Sequence, residues 1–446
     1  MEHGTTDIAI VGGGASGALL AVRLMHRMTM PVRVTLFDRS ARPGLGIAYA
    51  TTSCAHLLNT RAGDMSAFAE DPDHFRRWAG VTAGGFVPRQ LYGRYLQAML
   101  ADAAAAGRGR LQIVADDVVG LRPAASDLIL TTAGGASLAA RFVVLATGYR
   151  PPAADTGLAW RRDPWGSDIF DGLDPAGQVL LVGTGLTMID MVISLMERDH
   201  LGQIVALSRR GLLPRTHPPD AGAGAGADTD LLFAGRLSRR LARFRALSEA
   251  AGGWEAVMQD LRPRNGALWH SLDDRQRRRF LRHLRPWWEV HRHRAPPSVG
   301  VGLKAVIAAG QLTVLAGRLL AIEATGEQAR VTVQLREGGR HETHVFDRVV
   351  DCSGARCDPD DADRLQAQML RDGLMRADRL GLGIDVDGRD RVLDRDGVAS
   401  QRLFALGPPT RGRHWEITAI PDIRRRAAEL AEALLVGLAQ GSAAAS

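Results

Sequence analysis

Ile8-Ala9-Ile10-Val11-Gly12-Gly13-Gly14-Ala15-Ser16-Gly17 is an apolar strand that leads into a glycine-rich turn near the start of the chain. The first glycine of such a turn permits the tight passage from strand to helix. The second lets the backbone approach a pyrophosphate, and the third lets helix and strand pack closely. The helix start also offers N–H groups and a partial positive charge to phosphates. The pattern predicts a dinucleotide site formed by Gly12, Gly14, Ala15, Ser16 and Gly17.

The residues after this turn complete a β–α–β unit. A helical run (18–28) and an apolar strand (32–37) follow, and the strand ends in Asp38, 21 residues past Gly17. An acid at this distance binds the ribose hydroxyls of an adenine dinucleotide. We therefore expect Asp38 and its neighbour Arg39 to contact the cofactor.

A second turn of the same kind occurs about 170 residues later, after the apolar strand Val179–Val182. Gly183, Gly185 and Thr187 are the residues expected to hold a second pyrophosphate, although Met188 replaces the third glycine. Two such turns indicate two dinucleotides, and so a chain that moves electrons between them.

The strand after the second turn (204–207) ends in Ser208-Arg209-Arg210, without an acid. An acid would repel a 2′-phosphate, whereas a hydroxyl and guanidinium groups bind one through charge-assisted hydrogen bonds. This favours NADPH over NADH. The alternative is that Arg209 and Arg210 form an ordinary solvated basic end of the strand.

Composition excludes several classes of protein. The 446 residues are 46% apolar and 24% charged with a net charge of +7, as in an ordinary globular protein of two or three domains. The basic residues are spread along the chain apart from 275–294, which argues against nucleic-acid binding. There is no long apolar run and no metal-binding or disulfide pattern among Cys54, Cys352 and Cys357. Because Asp7 and the first core strand come so early, we expect no leader. We expect a cytoplasmic protein with no membrane partner and no metal.

Three later strands end in small residues and glycine. They are 142–148, 348–354 and 403–408, and they place Thr147, Gly148, Gly354 and Gly407 among the expected cofactor contacts. An amphipathic helix (422–438) follows them. The predicted fold is α/β with two Rossmann-like dinucleotide-binding domains. An FAD-binding domain is split into 1–155 and 346–446, and an NAD(P)H-binding domain at 175–345 carries a helical insertion at about 230–300.

Longer segments carry a family resemblance. They include Gly46-Ile47-Ala48-Tyr49, His56-Leu57-Leu58-Asn59, Met65-Ser66-Ala67-Phe68 and Gly412-Arg413-His414-Trp415-Glu416-Ile417. The chain resembles two-dinucleotide flavoproteins and, among these, a bacterial group described as FAD/NAD(P)-binding proteins. The characterised relatives associated with that group are flavin-dependent N-monooxygenases, including enzymes that oxidise L-aspartate towards nitrosuccinate. The resemblance implies FAD and NADPH as cofactors, with further cofactor contacts at Gly46, Ala48, Asn59, Met65 and Ile417.

Asn59 is the candidate catalytic residue. Its segment is similar to the stretch that presents an asparagine near the flavin in single-component flavin monooxygenases, where it would hydrogen-bond a peroxyflavin or the nicotinamide amide. A plain turn-forming role explains Asn59 equally well. The Phe-x-Gly-x-x-x-His element of that class is missing, because Phe170-Asp171-Gly172 is followed by no matching histidine.

Two clusters are candidates for substrate binding. His283, Trp287, His291 and Arg294 share one face if their segment is helical, although Pro286 weakens that argument. The second cluster follows the last expected flavin strand and comprises Arg411, Arg413, His414, Trp415 and Glu416. Arginines near a flavin suit a carboxylate substrate. The alternative for the first cluster is a solvated basic helix. From both clusters we select His291, Arg294, Arg411, His414 and Trp415.

These observations predict an FAD-dependent, NADPH-consuming monooxygenase that acts on the amine of a small acidic amino acid such as L-aspartate, with O₂ as co-substrate. One alternative is an NAD(P)H-dependent flavin reductase or oxidase without oxygen insertion. Another is a flavin-binding redox regulator without catalysis. A homodimer is compatible with the sequence, which does not specify the oligomeric state.

Overall fold

The strands of the chain form two sheets, each in its own unit. The computed structural model describes residues 4–27, 31–149, 161–166, 168–218, 224, 226–354 and 364–443. One unit comprises Met1–Ala50, Thr60–Arg150 and Arg356–Ser446, and the other comprises Thr51–Asn59 and Pro151–Ala355. We call them the first and the second unit.

Most strands are short and apolar, as expected for buried parallel sheets. In chain order they are β1 (Gly4–Val11), β2 (Val34–Phe37), β3 (Leu111–Val114), β4 (Val118–Pro123), β5 (Leu128–Thr132), β6 (Ser137–Leu145), β7 (Arg161–Arg162), β8 (Val179–Val182), β9 (Ile204–Ser208), β10 (Leu312–Thr325), β11 (Gln328–Leu335), β12 (His341–Phe346), β13 (Arg348–Asp351), β14 (Arg391–Leu393) and β15 (Ala399–Ala405).

The helices follow the strands in both units and dominate one insertion. They are α1 (Ala15–Arg27), α2 (His74–Ala79), α3 (Arg89–Ala106), α4 (Leu186–Met196), α5 (Leu237–Ala250), α6 (Trp254–Leu261), α7 (Asn265–His270), α8 (Asp274–Arg279), α9 (Arg285–Arg292), α10 (Pro297–Ala308), α11 (Arg364–Arg371) and α12 (Ile420–Ala443). No helix within the described ranges combines the length and apolar character needed to cross a bilayer.

The first unit is built on a sheet with the order β14-β15-β6-β1-β2-β3. The strands from β15 to β3 are all parallel, so their carboxyl ends meet at one edge. The apolar residues of β1 are buried, as its continuous hydrophobic run requires. This arrangement places the Gly12 turn, the segment after β6 and the segment after β15 along the same edge.

The last helix packs by the face that its sequence predicts. Ile423, Ala427, Leu430, Leu434 and Leu438 of α12 are each at most 4% exposed. Their spacing places them on one stripe of the helix, and that stripe is buried against the first unit, where α12 contacts α1. The amphipathic helix expected at 422–438 is therefore confirmed, and it begins two residues earlier than expected.

The second unit has the sheet order β12-β11-β10-β9-β8-β13-β7. The strands β10, β9, β8, β13 and β7 are parallel, while β11 and β12 extend the sheet as an antiparallel pair. The helical insertion lies between β9 and β10 and runs from a 3₁₀ turn at Thr229–Leu232 to α10. The predicted insertion at about 230–300 is thus present.

Two segments differ from the expected domain boundaries. Strand β13, expected in the returning FAD-binding part from 346 onward, pairs with β8 in the second sheet. Its apolar residues Val349 and Val350 are buried in the cores of the second unit. Residues Thr51–Asn59, expected in the first domain, also group with the second unit. Parts of the predicted linker (155–175) and of the loop at 220–228 lie outside the described residues, as does Cys357.

The contact at Gly17 yields a prediction about stability. A Cβ on Gly17 would collide with the carbonyl oxygen of Gly12, so helix α1 has no room for a side chain there. We expect Gly17→Ala to lower the free energy of unfolding by about 1–3 kcal/mol, the usual cost of forcing atoms into a packed site. Urea unfolding followed by circular dichroism measures the change.

Gly302→Ala is the matched control, because Gly302 lies in α10, has no positive φ, and has no atom within 4 Å of the place where a Cβ would lie. An alanine in a helix interior is more stable than a glycine by roughly 0.5–1 kcal/mol. The two substitutions should therefore shift the unfolding midpoint in opposite directions. Equal stability of Gly17→Ala and the parent chain would contradict the packing argument.

Candidate functional site

The first glycine turn has the geometry that its sequence predicts. Gly12 has φ +108°, a backbone conformation that residues with a side chain rarely adopt. A Cβ there would collide with the carbonyl oxygen of Ala146. The amide of Gly12 donates to the carbonyl of Phe37 at 3.0 Å, which joins the turn to the end of β2. Gly14 and Ala15 are half-buried at the start of α1, where the first N–H groups have no partner within the helix. The turn therefore presents backbone N–H groups at the carboxyl edge of the first sheet.

Asp38 lies beside this turn and is 6% exposed. Its Oδ1 accepts hydrogen bonds from the backbone N of Ser40, at 2.8 Å, and from the Ser40 hydroxyl. A Cβ on Gly13 would collide with Oδ2, so that oxygen faces the turn. One carboxylate oxygen is thus fixed by Ser40, while the other faces the glycine turn. Arg39, the neighbouring expected contact, is exposed.

The ends of β6 and β15 complete this edge of the first sheet. Gly148 and Gly407 have positive φ values of +70° and +83°, and a Cβ on Gly407 would collide with the Ser16 hydroxyl. Thr147 Oγ1 accepts a hydrogen bond from Gln366 Nε2 at 3.1 Å. The expected contacts Ser16, Thr147, Gly148 and Gly407 therefore share one edge with Gly12.

The remaining expected contacts in the first unit differ in exposure. Gly46 lies against the turn, since a Cβ on it would be 3.2 Å from Gly14 Cα, and it has φ +51°. Ala48 is exposed, whereas Met65 and Ile417 are buried. Arg424 of α12 donates to the carbonyl of Ser66 at 2.8 Å and thereby fixes the segment that carries Met65.

The second glycine turn repeats the first in the second unit. Gly183 has φ +115°, and a Cβ there would collide with the carbonyl oxygen of Cys352. Gly185 precedes α4, is exposed, and has nothing within 4 Å of a Cβ position. Met188, in place of the third glycine, is fully buried in the hydrophobic core. The turn keeps open space at the position where a pyrophosphate approaches.

Ser208 has a different environment from Arg209 and Arg210. Its hydroxyl accepts from the amide of Gly211 at 3.0 Å and lies 2.8 Å from Thr184 Oγ1, which is 2.6 Å from the carbonyl of Leu212. Ser208 thus already ties the second turn to the segment after β9. Arg209 is exposed and Arg210 is half-buried, so their guanidinium groups are the accessible charges at this strand end.

Asn59 is held in the second unit through its neighbours. His56 is buried, and its Nε2 lies 2.9 Å from the carbonyl of Asp190 in α4. Because a carbonyl can only accept, Nε2 carries the proton and Nδ1 accepts from the Thr51 hydroxyl at 2.7 Å. The backbone carbonyl of Asn59 accepts from His217 Nε2 at 3.0 Å. These bonds explain why residues 51–59 group with the second unit rather than with the first domain.

The first substrate cluster separates into two groups. His291 and Arg294 come together around Trp254 of α6: the His291 ring meets it edge-on at 4.4 Å, and the Arg294 guanidinium lies 5.0 Å above it. Arg294 Nε also donates to the His291 carbonyl at 3.0 Å. His283 lies elsewhere, among exposed arginines. The shared face expected for all four residues is interrupted by a π-helical turn (Phe280–Leu284), after which α9 begins with Pro286 in its first turn.

The second substrate cluster lies in the first unit, after β15. Arg411 stacks over the ring of the buried Trp415 at 4.3 Å. His414 Nε2 lies 2.7 Å from Oδ1 of Asp390, a residue that is 2% exposed and also pairs with Arg426 of α12. His414 is therefore engaged by the buried carboxylate of Asp390, which also pairs with Arg426. Arg413 is the exposed cation of this cluster.

Four residues of these sites were not singled out from sequence. Gly13 leaves room for Asp38, Thr184 joins the second turn to Ser208, His56 fixes the segment of Asn59, and Gln366 binds Thr147. The first two lie inside the glycine motifs and His56 lies in the quoted His56–Asn59 segment, so position gave a signal for them. Gln366 follows a part of the chain with no recognisable motif.

Comparisons with known proteins agree with this geometry. A family model described as FAD-NAD(P)-binding matches residues 9–150, which contain the first turn. No curated protein sequence matches the chain significantly.

Solved structures with the same fold cover almost the whole chain. An ornithine N-hydroxylase of Kutzneria sp. 744, solved with reduced FAD, NADP⁺ and L-ornithine, is 16% identical; the match covers 96% of this chain and 99% of that one, with a TM-score of 0.64. The L-lysine 6-monooxygenase of Pseudomonas syringae is 18% identical; the match covers 97% of this chain and 100% of that one, with a TM-score of 0.63. The thioredoxin reductase of T. acidophilum is 14% identical; the match covers 97% of this chain and 98% of that one, with a TM-score of 0.55. At these identities the likeness shows the fold, and it confirms the predicted α/β architecture with two Rossmann-like domains.

Adding a single methyl group at Gly185 tests whether the open space at this residue is needed to bind NADPH. Gly185→Ala meets no atom within 4 Å and needs no unusual φ, so we expect the fold to be unchanged. The methyl group would occupy the position where a pyrophosphate approaches. We expect the Kd for NADPH to rise by about tenfold or more, equivalent to about 1.4 kcal/mol. Titration of NADPH into the FAD-loaded protein by calorimetry measures this change.

Gly266→Ala in α7 is the control, because its Cβ position is equally open and lies in the same unit. It should leave the Kd for NADPH unchanged. If Gly185→Ala binds NADPH as tightly as Gly266→Ala does, the second turn is not a pyrophosphate site.

Proposed function

We propose that this chain is an FAD-dependent, NADPH-consuming monooxygenase that hydroxylates the amine nitrogen of a small acidic amino acid such as L-aspartate. The observation that carries the proposal is the repeated turn. In each sheet one strand, β1 or β8, leads into a glycine turn that lies against the end of the neighbouring strand and exposes the N–H groups of the following helix. Two such turns suit two dinucleotides, one that accepts hydride and one that supplies it.

The residues of the first unit fit FAD. The N–H groups at the start of α1 would bind its pyrophosphate, and Asp38 Oδ2 would accept from the ribose. The N-terminal end of α12 carries a partial positive charge, which would favour the negative charge of a reduced flavin. When bound, FAD would take up hydride and activate O₂, while this chain's residues orient the cofactor and exclude water.

The residues of the second unit fit NADPH. Gly185 leaves space for the pyrophosphate at the start of α4, and Arg209 and Arg210 would pair with the 2′-phosphate. Ser208 would act on that site indirectly, by holding the turn through Thr184. Asn59 remains our candidate for a residue that contacts a cofactor during the reaction. It lies on a segment that His56 fixes to α4.

The choice of substrate rests on two kinds of support. The ornithine and lysine enzymes of the same fold hydroxylate amines, which favours an amine as the group oxidised here. An acidic substrate is favoured by the family resemblance and by Arg413, whose exposed guanidinium follows the last strand of the first sheet. His414 is already engaged by Asp390, and Arg294 is engaged by Trp254 and the His291 carbonyl, so we regard both as positioning residues.

The main alternative is an NAD(P)H-dependent flavin reductase or oxidase, since a thioredoxin reductase shares the fold. A thiol relay would need a pair of reactive cysteines near the flavin. Cys54 and Cys352 are both free, and burial raises the pKa of the Cys352 thiol well above its ordinary value. A thiol that resists ionisation is a poor nucleophile, which argues against a disulfide reductase. A flavin-binding regulator without catalysis remains the second alternative.

Coenzyme selectivity tests the assignment of Arg209 and Arg210. The variant R209Q/R210Q loses the two charges expected to bind the 2′-phosphate. We expect kcat/KM for flavin reduction by NADPH to fall by at least about tenfold to a hundredfold, because the loss of even one charge-assisted hydrogen bond costs roughly 1.5–3 kcal/mol. The value for NADH should stay within about twofold. Anaerobic stopped-flow measurement of flavin bleaching gives both values.

R318Q/R330Q is the matched control, since it removes two exposed charges from the same unit. It should leave both coenzymes unaffected. An equal loss with NADPH and NADH in R209Q/R210Q would assign these arginines to general electrostatics rather than to the 2′-phosphate.

The reaction itself is tested by reducing the flavin anaerobically with NADPH in the presence of a panel of amino acids and then admitting air. We expect L-aspartate to give a product whose amine is hydroxylated or further oxidised, detected by mass spectrometry in proportion to the NADPH consumed. Release of H₂O₂ alone with every amino acid would support the reductase or oxidase. A yellow protein that NADPH never bleaches would support the regulator.

A further inference from the structure

The helical insertion carries a cluster of four arginines and one histidine that the proposed function does not use. One surface concavity with a volume of about 390 Å³ is lined by five exposed side chains, those of Arg275, Arg278, Arg279, Arg282 and His283. They lie on α8 and the π-helical turn that continues it, at positions i, i+3, i+4, i+7 and i+8. This spacing places them along one face of the helical run. We call it the basic face.

Arginines that point away from the basic face have acidic or aromatic partners. Arg277 pairs with Asp274 at 3.6 Å and lies 5.3 Å above the ring of Trp269, and Arg285 pairs with Glu289 at 2.8 Å. No ion pair joins Arg275, Arg279 or Arg282 to any residue that the structure describes. Acidic partners therefore neutralise Arg277 and Arg285, whereas the charges of Arg275, Arg279 and Arg282 have no acidic partner among the described residues.

This arrangement does not serve the stability of the helix. Like charges at i, i+4 spacing destabilise a helix by about 0.2–0.5 kcal/mol per pair, and 275/279 and 278/282 are such pairs. Arg275 also lies in the first turn of α8, where the helix dipole disfavours a cation. An anionic partner would turn each of these costs into a gain.

The shape of the basic face favours a protein partner. From Arg275 to His283 the run extends about 12 Å at 1.5 Å per residue, and Trp287 follows one turn later with 44% of its surface exposed. Arginine and tryptophan are the residues most enriched at the energetic centres of protein interfaces. A strand of nucleic acid would meet only about four phosphates over this length, too few for strong binding at physiological salt.

We propose that the basic face is a docking surface for a partner protein that presents an acidic helix or an acidic patch of similar length. The guanidinium groups of Arg275, Arg279 and Arg282 pair with carboxylates of the partner, and Trp287 covers an apolar residue at the end of the patch. The proposal is independent of the reaction at the glycine turns, because it rests on α8 and α9 alone.

The test measures binding of a fluorescein-labelled helical peptide of alanine and glutamate, with glutamates at i, i+3, i+4 and i+7 and a leucine one turn beyond. Fluorescence anisotropy follows its binding to the FAD-loaded full-length protein at several salt concentrations. We expect R275Q/R279Q/R282Q to raise the peptide Kd by about tenfold or more and to flatten its dependence on salt, since paired charges account for both. W287A should weaken binding by about threefold or more with the salt dependence unchanged.

R239Q/R245Q/R318Q is the matched control, because it removes three exposed charges from the same unit that do not line the basic face. It should bind the peptide like the parent. Equal losses in the two triple variants, or no loss in R275Q/R279Q/R282Q, would overturn the proposal. So would tighter binding of a single-stranded oligonucleotide, or equally effective competition by inorganic tripolyphosphate, since either result assigns the face to phosphates. Circular dichroism and NADPH-dependent bleaching confirm that each variant is folded.

Discussion

The rest of this structure depends on one close backbone contact, between a glycine turn and the end of the neighbouring strand, that occurs once in each unit. In the first unit the backbone of Gly12 lies against the carbonyl of Ala146, and in the second the backbone of Gly183 lies against the carbonyl of Cys352. In both cases the contact joins the turn after one parallel strand to the end of its neighbour. Because neither glycine has room for a Cβ, the helix that follows is directed along the carboxyl edge of its sheet.

That constraint decides where polar groups can serve a ligand. Once the helix start is fixed, its N–H groups and the residues at the ends of the adjacent strands converge on the same place. In the first unit these are Asp38, Thr147 and Gly407, and in the second they are Ser208 and the two arginines after it. The likeness of the two edges extends to the positive φ of Gly148 and Gly354, each three residues past the end of its strand.

Local sequence patterns predicted individual strands and helices well. They did not predict which sheet each strand joins, because that depends on pairing between segments far apart in sequence. The strands at Ile8–Val11 and Val179–Val182 and the apolar face of α12 follow from periodicity and motif spacing. The sequence at 348–354 resembles the end of β6, yet the strand it forms pairs with β8 in the other sheet. Which sheet a short apolar strand joins depends on partners far away in sequence, and composition does not specify them. The segment at 51–59 shows the same limit, because its place depends on the buried hydrogen bond from His56 to α4.

Charged residues show the limit of sequence reasoning most clearly, because a motif gives their position and not their partners. His291, Arg294 and His414 were expected to bind substrate, yet each is engaged by the protein itself: the first two around Trp254 and the third on Asp390. Arg275, Arg279 and Arg282 drew no functional assignment from sequence, and none of the three has an ion pair among the described residues. A buried or paired charge has already exchanged water for protein, so it has little left to offer a ligand. An exposed charge held close to others of the same sign is stabilised by any anion that approaches. The basic face of the insertion and the arginines after β9 are therefore two places where this chain can still gain binding energy from a charged molecule.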